Sequence, residues 1–106
     1  MIKVKIFKEP TDRIVGFEVA GHSGTAAHGQ DIVCAGVSSL AQTALLGLGE
    51  HLHRDMDYSV ASGKLKMQLK GAPDELTEAI LQTMLLGLME IAKLSPEAVQ
   101  IQEQRR

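Results

Sequence analysis

The sequence is poor in aromatic residues, cysteine and net charge, and each shortage excludes something. Only 3% of its 106 residues are aromatic, and there is no Trp. Such a chain offers no row of exposed rings on which single-stranded nucleic acid could stack, and its core must be built from Leu, Ile, Val, Ala and Met. Eleven basic residues against thirteen acidic ones leave a formal charge of −2. With no positive field, a phosphate backbone has little reason to bind, so no direct nucleic-acid partner is expected. Lys64, Lys66 and Lys70 read as the solvated face of a strand. One cysteine, Cys34, makes no internal disulfide, which argues against a disulfide-stapled secreted domain.

Long hydrophobic runs are missing too. Met1 to Lys8 alternates apolar and basic residues and lacks the apolar run of a signal peptide. Segments 40–48 and 79–92 are the longest apolar-rich ones, and Gln, Thr or Glu interrupts them. Neither approaches a membrane-spanning length. A cytoplasmic location with no membrane partner is the expectation. What remains, 44% hydrophobic and 23% charged residues, is ordinary globular usage, and the length suits one domain over residues 1–106.

Ile2, Val4 and Ile6 alternate with Lys3 and Lys5, as in a half-buried strand. Glu9 to Asp12 then turns the chain, and Arg13 to Ala20 resumes as a second strand of a hairpin. Gly21 ends it, and residues 22–30 have no periodicity, which predicts a mobile loop. From Ile32 the apolar residues Val33, Val37, Leu40, Ala41, Ala44, Leu45 and Leu48 recur at helical steps. Asp31 suits the N-cap of this helix, which should fade near Glu50 to His53. Its glycines at 36, 47 and 49 cost helix propensity, about 1 kcal/mol each against Ala, and close packing on a sheet or a second subunit would account for them.

Asp57 to Ala61 and Lys64 to Lys70, joined by Ser62-Gly63, predict a second hairpin. A second helix opens near Pro73 with Asp74, Glu75 and Glu78 at its positive end. Its stripe is Leu76, Ile80, Met84, Leu88 and Ile91, widened by Leu81 and Leu85, and Ser95-Pro96 closes it. Ala98 to Glu103 reads as a last strand, with a helical turn from Ser95 as the alternative. The order β-β-α-β-β-α-β predicts a two-layer α+β fold: an antiparallel-rich sheet of four to five strands carrying two helices. Both stripes are wide for so small a sheet, and a homodimer would cover the remainder.

Chemistry concentrates between Gly21 and Ser38. The cap at Asp31 places Cys34 in the first helical turn, where free amides and the dipole favour a thiolate, and Ser38 follows one turn later. His22 directly follows the second strand. A cysteine and a histidine on regular elements, joined by a loop, suit a nucleophile and its base, and amides at the helix start can serve as an oxyanion hole. The same residues also allow a small buried cysteine and a solvated histidine. A zinc site built from His22, His28 and Cys34 matches no standard ligand spacing, and His51 and His53 stand about 25 Å away by helical rise. No Lys follows the glycines in P-loop fashion. No metal and no cofactor are expected.

Gly21-His22, then Gly29, then Asp31-Ile32-Val33-Cys34-Ala35-Gly36-Val37-Ser38 closely resembles the signature of the bacterial ribosomal-processing cysteine proteases, the Prp family. Element order and length are similar as well, so the resemblance spans essentially the whole chain. It implies Cys34 as nucleophile and His22 as general base, with Asp31 and Ser38 supporting the site. It implies a loop that orders on substrate, with Ser23, Gly24, Gly29 and Gln30 on it, and a homodimer. The implied substrate is the N-terminal extension of large-subunit ribosomal protein twenty-seven, removed during ribosome maturation. Departures are small: Gly36 stands where the family often has Ala, and Ser23 where Ala is common. The competing expectation is a non-enzymatic, ribosome-associated homodimer that uses the 22–34 loop as a docking surface.

Overall fold

The computed structural model describes residues 1–21 and 32–106. The elements run β1 (Ile2–Lys8), β2 (Ile14–Ala20), α1 (Ile32–Leu46), a π-helical turn (Gly47–His51), β3 (Met56–Ala61), β4 (Lys64–Leu69), α2 (Glu75–Leu94) and β5 (Val99–Arg105). The five strands form one sheet in the order β3-β4-β2-β1-β5, antiparallel except where β5 runs parallel to β1. This is the expected α+β fold. The final segment is a strand from Val99, and the turn expected at Ser95 stands just ahead of it, closed by the amides of Ala98 and Val99 donating to the Ser95 carbonyl at 3.0 and 3.2 Å.

Register explains the layers. Val4 pairs with Val19 and Ile6 with Phe17, while Phe17 pairs with Met67 and Val19 with Leu65. Paired residues share a face, so the alternation in β1, β2 and β4 stacks into one apolar surface under the helices. Val37, Ala41, Ala44 and Leu48 from the first helical segment and Leu81, Met84, Leu85 and Leu88 from α2 join the sheet residues in a single core. On the opposite face the guanidinium of Arg106 lies 3.8 Å from the ring centre of Phe7, which helps cover that ring.

Two expectations need correction. Leu76 does not belong to the buried stripe of α2: it is exposed, and Thr77 is buried in its place. The cause is the N-terminal cap. The Asp74 carboxylate accepts from the amides of Leu76 and Thr77, and the Asp74 amide donates to Thr77 Oγ1 at 2.9 Å. A hydroxyl satisfied in this capping box can be buried at little cost. Second, the apolar segment at 40–48 is part of a longer helix. α1 and its π-helical turn run unbroken from Ile32 to His51, 20 residues, long and apolar enough by length and composition to cross a bilayer. Its inner stripe, however, is a wall of the protein core.

The helix glycines are explained by packing, chiefly on α2. A Cβ at Gly36 would stand 3.2 Å from Ile91 Cδ1, and one at Gly47 3.1 Å from Ile80 Cδ1. In return, a Cβ at Gly87 of α2 would stand 2.9 Å from Leu40 Cδ1. Gly49 instead receives the Met56 methyl of β3, at 3.1 Å.

Candidate active site

Cys34 is the third residue of α1 and half-buried. It lines a cleft of about 130 Å³ between the start of α1 and the end of the sheet where β2 stops. Ser38 and Gln42 continue the helical wall, and Gly21, Val60, Ala61, Gly63 and Lys64 form the opposite one. Positions 34, 38 and 42 are successive four-residue steps along one helix face. The Gln42 side-chain amide donates to Ser38 Oγ at 2.7 Å.

Gly21 fixes the sheet side. Its φ is +97°, and an added Cβ would collide with the carbonyl of Met1. Only glycine meets both demands at once. Its amide donates to the Gly63 carbonyl at 2.9 Å, tying the end of β2 to the β3–β4 turn. On the sheet face away from the helices Lys64 Nζ lies 3.3 Å from Glu18 Oε1 on the neighbouring strand. The end of β2 at Gly21 and the start of α1 near Cys34 therefore border one cleft, although ten residues of sequence lie between Gly21 and Ile32.

Those ten residues are outside the described part of the chain, so the expectations for His22, Ser23, Gly24, Gly29, Gln30 and Asp31 fall outside it too. Of the expected site residues, the structure brings together Cys34 and Ser38. His51 lines a separate apolar cleft on the α2 side of the first helix. Among the described residues no group of three His, Cys, Asp or Glu side chains could hold a metal ion. Reading the sequence missed Gln42, which the 34–38–42 spacing would have revealed. It also missed Val60 and Lys64, which carry no local signal because only the sheet order brings them to the cysteine.

The family described as cysteine protease Prp matches residues 1–100 of the chain. The ribosomal processing cysteine protease Prp of Staphylococcus aureus is 28% identical over 104 residues, spanning 95% of this chain and 97% of that protein. A crystal structure from Streptococcus mutans has a TM-score of 0.84 at 26% identity, over 100% of this chain and 96% of that one. The S. aureus ribosomal processing protease Prp, crystallised with a covalently linked product peptide, has a TM-score of 0.91 at 24% identity, over 98% of this chain and 100% of that one. At that identity the last likeness is one of fold.

Proposed function

The chain belongs to the cysteine protease Prp family, and from that premise we propose that Cys34 is its nucleophile and His22 its general base. One observation carries the proposal: a cysteine protease requires a cysteine, and this chain has only one. The placement of Cys34 in a cleft at a helix start, facing the strand end that leads into His22, supports the same reading. The non-enzymatic alternative falls with the family assignment.

The reaction follows from these roles. His22 takes the thiol proton, and the Cys34 sulfur attacks the scissile carbonyl. Backbone amides of the first turn of α1 stabilise the oxyanion. The intermediate collapses to a thioester as His22 gives its proton to the leaving amine, and water then hydrolyses the thioester to release the acid and the free thiol. Ser38, held by Gln42, and Asp31 support the pair without forming bonds to substrate. No metal or cofactor takes part. Ser23, Gly24, Gly29 and Gln30 belong to the proposed substrate loop.

The proposed substrate is the N-terminal extension of large-subunit ribosomal protein twenty-seven, cleaved during ribosome maturation by a homodimer of single-domain chains. Ribosomal processing, the function of the S. aureus relative, supports this choice. Cys34→Ala tests it: the purified variant should keep its Tm and lose all cleavage of that ribosomal protein bearing its native N-terminus. Cleavage retained by the variant would refute the assignment.

A further inference from the structure

The formal charge of −2 is unevenly spread over the molecule. Both helices pack on one face of the sheet, and no described element covers the other. On that open face the register sets side chains in rows. Gln100, Lys3, Ala20, Lys64 and Ala61 form one row across the five strands. Gln102, Lys5, Glu18, Lys66 and Ser59 form the next. Lys70 reaches the same face, its Nζ 3.6 Å from Asp57 Oδ1, and Arg106 reaches it over the Phe7 ring.

The open face thus gathers six of the eleven basic residues and only two of the thirteen acidic ones, Glu18 and Asp57. The rest of the sequence holds five basic and eleven acidic residues. Lysines that alternate along one strand look like an ordinary solvated edge. Sheet order brings those of β1 and β4 together as one positive field.

The field has a definite shape. Lys3, Lys5, Lys66 and Lys64 mark the corners of a rectangle, about 7 Å along the strands and about 10 Å across two strand spacings. Both carboxylates already have partners: Glu18 pairs with Lys64 at 3.3 Å, and Asp57 with Lys70. Lys3, Lys5, Lys66 and Arg106 form no ion pair among the described residues. Gln100, Gln102 and Gln104 continue the face along β5 and are exposed; each offers neutral donors and an acceptor.

We propose that this face binds the phosphate backbone of double-helical RNA, a partner whose binding does not depend on the roles of Cys34 and His22. Phosphate contacts need clustered cations, and a local surplus supplies them whatever the net charge. The occupant is a duplex because the face has no ring for a base to stack on. Phe7, its one aromatic residue, is 5% exposed beneath Arg106. Duplex RNA is recognised by shape, by phosphates and by 2′-hydroxyls. Lysines on both long sides of the rectangle can meet phosphates from both strands across a groove, and the glutamines can bond 2′-hydroxyls. Binding is therefore indifferent to base sequence.

Fluorescence anisotropy with a labelled RNA duplex of about 20 base pairs tests this. Four cations free of ion pairs predict a micromolar Kd at 50 mM salt and about a hundredfold loss at 200 mM. The triple variant Lys3→Gln, Lys5→Gln, Lys66→Gln should bind at least tenfold more weakly, and its salt slope should fall by about three. Arg at the same three positions should preserve binding. Lys93→Gln, on exposed α2 surface, alters the net charge away from the face and should stay within twofold of wild type. These positions are solvent-facing, and unchanged Tm values would show that the variants fold. Failure of the wild type to bind at 50 mM salt would overturn the proposal, as would equal binding by the triple Gln variant or equal weakening by Lys93→Gln. Tighter binding of single-stranded RNA or of the matching DNA duplex would overturn the choice of duplex RNA. Displacement of the RNA by an equal charge of polyglutamate would show instead a face for acidic protein segments.

Discussion

The two flanks of the first helix are built in opposite ways. On the α2 flank, Gly36 and Gly47 admit Ile91 and Ile80, and Gly87 of α2 admits Leu40, so the helices interlock at close range. On the β3 flank, Cys34, Ser38 and Gln42 face a cleft, and Leu46 is 60% exposed beside Tyr58 and Val60. One flank spends its residues on packing and the other leaves space for a ligand. A site on one side of a rigid, core-packed helix gains precision from the other side, since chemistry tolerates little misplacement.

That contrast can be broken first from the packed side. Leu88 is fully buried in the core, and Leu88→Ala should cost about 2–5 kcal/mol through lost burial and a residual cavity. Urea denaturation reads this, and labelling at Cys34 should keep its wild-type rate at temperatures where the variant stays folded. Gly87→Leu forces a side chain into the place of Leu40 and should cost about 1–3 kcal/mol by overpacking. Urea denaturation measures this loss too, and the Cys34 cleft, on the opposite flank, should keep its labelling rate.

Gly21→Ala strikes the junction between scaffold and site. The left-handed φ alone costs about 1–2 kcal/mol, and the collision with the Met1 carbonyl adds to it. Because Gly21 borders the cleft, this variant should lose kcat/KM by more than its stability loss explains, unlike Gly87→Leu. The smallest effect is expected at Asp74, far from the cleft. The hydrogen bond from Arg54, then the amide of Thr77, hold the Asp74 carboxyl below its ordinary value of 3.8, against a weaker upward effect of desolvation. A carboxyl lowered in the folded state stabilises it fully above the unfolded value and loses that contribution as pH falls through the folded one. Asp74→Ala should therefore lower Tm modestly at pH 7, and the difference from wild type should shrink below pH 3.8.

Much of this was legible before the structure. Strict alternation in Ile2 to Ile6 announced β1, since a period of two suits only a half-buried strand. Helical spacing brought Cys34 and Ser38 to one face. The buried phase of α2 was misread at its first turn, where apolar count favoured Leu76 and a polar residue, Thr77, took the inner position through its bonds to Asp74. The glycines at 36 and 47 hinted at close packing, but their partners Ile91 and Ile80 lie more than thirty residues away in sequence. The β3 wall was illegible for a related reason. Tyr58 and Val60 look like any strand residues until the sheet order makes β3 an edge.

The central claim is that Cys34 on the open flank is a nucleophile served by His22. The most direct measurement is the rate of iodoacetamide labelling of Cys34 at neutral pH, followed by intact mass in wild type and His22→Ala at equal Tm. Rapid labelling in wild type, slowed at least tenfold by His22→Ala, is the predicted result. Equal and slow labelling in the two proteins would contradict it.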